Sequence, residues 1–107
     1  MVTMDNPARV YVKAYRSGKD IVVAACDEEL VGSLIEDRQR NLRLYIDPAF
    51  FKGELRDAES LAEILSSATT ANLVGKNAVE AAIKARLVHA DAVLRIGDVL
   101  VAFFTRF

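Results

Sequence analysis

Residues 10–26 read VYVKAYR-SGKD-IVVAAC, and this stretch decides the fold. Small and branched apolar residues alternate with tyrosine and lysine over residues 10–15, which is the period of a half-buried strand. Ser17–Asp20 has the composition of a tight turn. Ile21–Cys26 is a continuous apolar run and is typical of a central strand. The stretch therefore predicts an antiparallel hairpin within a sheet.

Three further segments carry strand signals. Val93–Ile96 and Val99–Phe104 flank Gly97-Asp98, a favoured two-residue connection, so a second hairpin is predicted. Leu42–Ile46 alternates strictly and predicts one more strand, which Asp47-Pro48 ends because proline lacks a donor and restricts its neighbour. With the first hairpin, the chain is expected to supply about five strands.

Two main helices are predicted between these strands. Ala58–Ser67 follows Asp57, a helix-capping residue type, and carries apolar residues at i, i+3 and i+4. Asn77–Leu87 repeats this stripe, and a shorter helical piece capped by Asp27 is predicted over Glu28–Ile35. Strands, then helices, then strands indicate an α+β fold. We expect a mainly antiparallel sheet of about five strands (two hairpins plus one strand) with the two main helices packed on one face.

The composition fits a single globular domain over residues 1–107, with Met1–Ala8 as a loose tail. A formal net charge of −1 argues against a protein that coats nucleic acid through long-range charge. No stretch approaches the ~20 apolar residues that span a bilayer, and the N-terminus has no apolar run of signal-peptide length. The single cysteine, Cys26, excludes an intramolecular disulfide. We therefore expect a cytoplasmic protein without a membrane partner.

Residues 70–77 form the first candidate site. They are predicted to be a loop that opens the second helix, with Asn72, Gly75, Lys76 and Asn77 as the residues that would bind a phosphate. Free N–H groups and the positive end of the helix dipole suit an anion at such a position. The P-loop pattern is incomplete, because its first glycine and its metal-binding hydroxyl are both missing. The alternative is that these residues only cap the helix and bind no ligand.

Catalytic and metal-binding groups are scarce. Cys26 could act as a nucleophile with His89 as its base, but Asp27 beside it opposes the thiolate, so a buried structural cysteine is the simpler interpretation. The acidic run Asp27–Glu29 has the spacing of a helix start rather than of metal ligands. We predict no catalytic residue, no metal site and no cofactor.

The second candidate site is a sheet face for RNA. Tyr11, Lys13 and Tyr15 share one face of the first strand, and Arg43 and Tyr45 share one face of the third. Single-stranded RNA is recognised by such surfaces, since rings stack on bases while cations meet phosphates. The alternative is that these tyrosines lie under a helix or in a dimer interface, where aromatic rings are common.

Several short motifs together resemble a known family. They are Ala25–Gly32 (ACDEELVG), Phe51–Gly53, Ala71–Gly75 with the following Val79-Glu80, and Val93–Gly97. Their order and spacing are similar to those of a group of small archaeal proteins, the domain-of-unknown-function family 424. The resemblance covers roughly Arg9 to the C-terminus. It implies a cytoplasmic archaeal protein of a kind sometimes described as a candidate RNA-binding protein, and it carries over no activity and no catalytic residue.

Taken together, the sequence predicts a small, non-catalytic binding module that serves RNA, the ribosome or translation factors. Two other functions stay open. One is an enzyme or enzyme subunit that binds a phosphorylated small molecule at the 70–77 loop. The other is a structural homodimer formed through the apolar C-terminal strand.

Overall fold

The computed structural model describes residues 8–106, which contain eight strands and three α-helices. In chain order these elements are β1 (Arg9–Ser17), β2 (Asp20–Asp27), β3 (Leu34–Asp37), β4 (Leu42–Tyr45), α1 (Pro48–Phe51), β5 (Glu54–Asp57), α2 (Leu61–Ser66), β6 (Thr70–Val74), α3 (Lys76–Lys84), β7 (Leu94–Ile96) and β8 (Val99–Thr105). Short 3₁₀ turns lie at Glu28–Leu30, Ala58–Ser60 and Ala90–Ala92.

Six of the strands form one sheet in the order β5-β1-β2-β6-β8-β7. Its neighbouring strands are antiparallel except for β2 and β6, which run parallel. Both predicted hairpins are confirmed: β1 pairs with β2 from Val10↔Asp27 to Ser17↔Asp20, and β7 pairs with β8 as far as Ile96↔Val99. The mainly antiparallel α+β fold is therefore confirmed, with a parallel pair at its centre.

The predicted strand count was wrong because β3, β5 and β6 were not predicted as strands. Strand β5 pairs with β1 at the edge of the six-stranded sheet. Residues 70–74, predicted as part of a loop, are the central strand β6, between β2 and β8. Their small and hydroxyl side chains resemble a loop, but Ala71 and Leu73 are fully buried on one face. The predicted third strand exists as β4, yet it pairs with β3 in a separate two-stranded sheet.

The predicted helix over Glu28–Ile35 is not formed. Its first residues make only a 3₁₀ turn, and Gly32 then takes a φ of 87° that a helix does not allow. The Gly32 N–H donates to the Ile46 carbonyl at 2.8 Å, which leads the chain into the β3–β4 ladder instead. Pairing between β3 and β4 therefore prevails over the helix that the acidic residues after Asp27 had indicated.

The two main helices pack on one face of the six-stranded sheet, as predicted. Fully buried side chains from strands and helices meet there: Val23, Ala25, Leu73, Leu61, Leu65, Val79 and Ala82. The first of these helices, α2, is shorter than predicted, and the Asp57 side chain accepts no hydrogen bond from its 3₁₀ entry turn. We call this side the closed face.

The opposite face is covered in part by the β3–β4 hairpin and α1. Ile46 and Phe51 from these segments bury Ala24, Cys26 and Val74 of the sheet. Helix α1 begins because Asp47 accepts a hydrogen bond from the Ala49 N–H at 2.9 Å and Pro48 occupies the first helical position. The molecule therefore has three layers, of which the last is incomplete.

Two predictions fall at the start of the chain. Ala8, which the predicted tail included, is held to the body because its carbonyl accepts the Ala58 N–H at 2.9 Å. Met1–Pro7 lie outside the described residues. In the part of the chain that is described, none of the helices has the length and apolar character needed to cross a membrane.

Candidate functional site

The start of α3, the first candidate site, already holds an anion supplied by the protein. Asp27 ends β2, and its carboxylate accepts the N–H groups of Asn77 at 3.0 Å and Ala78 at 2.9 Å. The residue is only 2% exposed. Burial raises the pKa of Asp27, the two N–H bonds oppose this rise, and the carboxylates of Glu29 and Glu80 add to it. The geometry is that of a helix cap delivered from a distant strand.

Gly75 makes this cap possible. Its φ of 103° is a conformation that side chains rarely adopt, and a Cβ there would overlap the carboxyl carbon of Asp27. The Gly75 N–H donates to the Leu100 carbonyl at 2.8 Å and holds the turn against β8. The glycine that suggested a phosphate loop is thus required by the contact with Asp27.

The four candidate phosphate residues do not converge on one point. Asn72 lies in the middle of β6 and Gly75 is buried, whereas Lys76 is exposed on the first turn of α3. Asn77 lines a groove of about 440 Å³ between the Asp57–Ser60 region and α3. The charged residues of that groove are three carboxylates and one ammonium group, from Asp57, Glu59, Glu80 and Lys84. Such a groove repels phosphate.

Cys26 is buried, as predicted, and its surroundings oppose nucleophilic catalysis. Its side chain is fully buried, and the Sγ donates to the Asp27 carbonyl at 3.3 Å. Burial, followed by the negative charges of Asp27 and Glu29, raises the pKa of the thiol to about 12. His89 is exposed beyond the end of α3. No group of three metal-ligating side chains occurs among the described residues.

The first half of the predicted RNA face is largely engaged by α1. The Tyr15 ring stacks on Phe50 with centroids 5.4 Å apart, and its hydroxyl donates to the Phe50 carbonyl at 2.8 Å. Lys13 donates to the Ala49 carbonyl at 2.8 Å and lies over the Tyr15 ring. Tyr11 has the ammonium group of Lys52 5.9 Å from its ring centroid. These groups stabilise the contact between β1 and α1.

The second half lies in another layer. Leu44 of β4 points toward the six-stranded sheet, so its neighbours Arg43 and Tyr45 point away from it. Tyr45 is 55% exposed, and Arg43 forms an exposed ion pair of 3.4 Å with Glu36. The structure therefore does not bring the five predicted residues into one surface.

A different surface is open on the partly covered side of the six-stranded sheet. We call it the open half-face, and define it by the same-face residues Val22, Thr70, Asn72, Val101, Phe103 and Thr105, with Leu94 beside them on β7. Phe103 is 58% exposed and stands directly opposite Asn72 on the neighbouring strand. Among residues 8–106, none hydrogen-bonds to the Asn72 side chain, and the Thr70 and Thr105 hydroxyls meet at 3.1 Å.

The edge of the cover runs beside Asn72. Ala24, its partner on β2, is fully buried beneath the hairpin and α1, and Val74, two residues along β6, is 3% exposed. Tyr15 stands opposite Val22 and marks the boundary on the β1 side. Sequence analysis missed Phe103, although Phe103 and Phe104 are consecutive in a strand and must therefore face opposite sides of the sheet.

Carboxylates are more numerous at one end of the strands than at the other. At the end where Ser17–Asp20 turns, Lys19 is exposed beside the exposed Asp20, and it forms no ion pair with a described residue. Arg16 is also exposed there, but it pairs with Ile21 and therefore lies on the closed face. Thr70 and Thr105 of the open half-face lie at this end. The opposite end carries the carboxylates Asp27, Glu28, Glu29, Asp57, Glu59 and Glu80.

Comparisons with known proteins agree with this fold. The model of one protein family, described as "Protein of unknown function (DUF424)", matches residues 15–107. A crystal structure of an uncharacterized conserved protein from Methanopyrus kandleri, an archaeon, is similar with a TM-score of 0.73. The likeness covers 94% of this chain and 95% of that chain at 22% sequence identity, and at that identity it speaks for the fold alone. No curated protein matches the sequence.

Proposed function

The chain belongs to the DUF424 family, whose description assigns no function, and from this premise we propose that it is a non-catalytic binding module for single-stranded RNA. The binding surface is the open half-face. The proposed ligand is RNA of the translation apparatus, and the proposed location of the protein is the cytoplasm.

One observation carries the proposal: the exposed ring of Phe103 stands beside the free amide of Asn72 on a sheet face that the described residues leave uncovered. An exposed ring on a sheet gives an unstacked base a platform, and stacking contributes about 1–3 kcal/mol per base. Amide and hydroxyl groups beside it can meet base edges and sugar hydroxyls. The buried core of a protein–protein interface is more apolar than this mixture of ring, amide and hydroxyl groups.

The distribution of charge supports RNA at this surface. Lys19 lies in the turn at the end of the strands where Thr70 and Thr105 border the open half-face, so it can meet a phosphate of a strand whose bases reach Phe103. More carboxylates lie at the other end, so the phosphates of an RNA strand are less favoured near the start of α3. Because so few cations are involved, we expect a modest affinity that falls as salt increases.

The chemistry of the remaining groups supports a module without catalysis. The thiol of Cys26 is buried with a pKa of about 12, so it does not supply a thiolate near neutral pH. The helix start at α3 is filled by the Asp27 carboxylate, which does not favour the alternative of a phosphorylated small molecule at residues 70–77. We expect Lys76→Ala to leave RNA binding unchanged, and a loss of RNA binding in this variant would show that an RNA phosphate contacts the start of α3.

The test is a titration of fluorescently labelled single-stranded RNA at low salt, followed by anisotropy. Phe103→Ala should weaken binding about tenfold, the equivalent of one lost stacking contact. Tyr45→Ala is the matched control, since Tyr45 is exposed to a similar extent but lies on the outer face of the β3–β4 hairpin. If Tyr45→Ala weakens binding and Phe103→Ala does not, RNA contacts the outer hairpin face, and the open half-face is the wrong surface.

A homodimer would compete for the same surface. Sedimentation of the parent protein and of Phe103→Ala distinguishes the two functions. We expect both to sediment as monomers at concentrations where RNA binds. A parent dimer that Phe103→Ala dissociates, together with no RNA binding at low salt, would overturn the proposal in favour of the structural homodimer.

A further inference from the structure

The open half-face contains one side-chain amide, Asn72, which can form two hydrogen bonds with the edge of a single base. Its apolar members and its ring accept any base, because every base has an aromatic face. The Thr70 and Thr105 hydroxyls are bonded to each other at 3.1 Å. Asn72 differs from them, because in residues 8–106 nothing hydrogen-bonds to its amide, which offers both a donor and an acceptor.

The position of Asn72 suits this role. It lies on the central strand β6, half-buried at the edge of the cover formed by the hairpin and α1, and directly opposite Phe103. Same-face residues that stand opposite each other on antiparallel strands have Cβ atoms about 4.5–5.5 Å apart. A base that stacks against the Phe103 ring therefore has an edge within reach of the Asn72 amide.

We infer that Asn72 and Phe103 together form a pocket for one unpaired adenine, an inference that rests on the proposed RNA-binding function. An asparagine amide pairs with adenine through two hydrogen bonds, donating to a ring nitrogen and accepting from the exocyclic amino group. Phe103 contributes affinity for every base, and Asn72 contributes the choice among bases. Lys19 meets a phosphate and adds no sequence information.

The experiment uses oligouridine strands of equal length that carry a single central adenine, cytosine, guanine or uracil, titrated against the full chain. The parent should prefer the strand with adenine by roughly tenfold, the discrimination typical of one bidentate pair. Asn72→Ala should bind all four strands as weakly as the parent binds the uracil strand. Phe103→Ala should weaken all four by a similar factor. Urea unfolding of each variant checks that the fold is intact.

The outcomes separate this inference from the function beneath it. If no strand binds at low salt, both fail. If all four strands bind equally well, Asn72→Ala changes nothing and Phe103→Ala weakens every strand, then the base-reading role of Asn72 is overturned while RNA binding stands. A preference for another base that Asn72→Ala abolishes overturns the assignment to adenine.

Discussion

The two faces of the six-stranded sheet are built from the same strands but are finished differently. On the closed face, α2 and α3 cover the strands, and side chains such as Leu65 and Leu73 have no contact with solvent. On the other face the hairpin and α1 stop beside Asn72, and Phe103 and Leu94 stay exposed. The difference teaches that the closed face supports stability, whereas the open half-face is available for binding. Phe104 and Phe103, adjacent in β8, represent the two faces.

The largest effect is expected from Phe104→Ala. Phe104 is 7% exposed and belongs to the core of the closed face. Emptying a buried phenylalanine site costs about 3–5 kcal/mol, because transfer free energy is lost and a cavity remains. Urea unfolding followed by circular dichroism measures the change. A variant that unfolds like the parent would mean that the closed face does not depend on this ring, and the comparison would lose its basis.

Gly75→Ala tests the contact between Asp27, at the end of β2, and the start of α3. The backbone conformation at φ 103° alone costs a residue with a side chain about 1–3 kcal/mol. The overlap of the new Cβ with the Asp27 carboxyl carbon adds to this cost and displaces the helix cap.

Gly18→Ala is the matched control for that substitution. Gly18 also has a positive φ, 62°, but a Cβ there has no neighbour within 4 Å. Its substitution should cost only the strain of the left-handed conformation, about 1–2 kcal/mol. Equal costs for the two variants would show that the contact between Gly75 and Asp27 has no energetic weight.

The pH dependence of stability is the next smaller effect. The folded-state pKa of Asp27 is raised above its ordinary value of 3.8, so the folded protein takes up this proton before the unfolded chain does. The free energy of unfolding should therefore increase as pH falls through the raised pKa toward 3.8, and stay constant in this term below it. Asp27→Asn should lack the increase. The measurement is urea unfolding of both proteins across this window.

Asp37 must be separated from Asp27 in the same experiment. Hydrogen bonds from the Arg40 side chain, then from the Arg40 and Gly97 N–H groups, lower the pKa of Asp37. Its contribution has the opposite sign: it is present above the ordinary value of 3.8 and is lost as pH falls through the lowered pKa. Because both proteins carry Asp37, the difference between the parent and Asp27→Asn isolates Asp27. A difference that does not vary with pH would show that the pKa of Asp27 is not shifted.

The parts of the fold that could be predicted from sequence are those whose partners are near in the chain. Each hairpin carries its two strands and its turn in one stretch, so periodicity and turn chemistry suffice. Strand β6 could not be found in this way, because its partners β2 and β8 are distant and its residues are small. Asp27 was predicted to cap the residues that follow it, but it caps a helix that begins about fifty residues later.

The candidate site was harder to predict for a related reason. Alternation shows that Tyr15 and Phe103 lie on strand faces, but it does not show which face a distant segment will cover. Helix α1 packs on Tyr15, whereas the β3–β4 hairpin stops short of Phe103. Both outcomes depend on tertiary contacts. Asn72 was a candidate for phosphate binding, and its place on a strand beside Phe103 appears only with β6 in the sheet.

The smallest effect on stability is expected from Phe103→Ala. A ring that is 58% exposed contributes little to the folded state, and surface substitutions of this kind usually stay within about 0.5 kcal/mol. Together with Phe104→Ala, this variant compares two neighbouring phenylalanines that differ only in the face they occupy. The expected contrast is a large loss of stability with the ring on the closed face and a loss of RNA binding with the ring on the open half-face. If Phe103→Ala instead destabilises the protein by an amount that grows with protein concentration, a second copy covers the ring, and the open half-face is an interface between subunits.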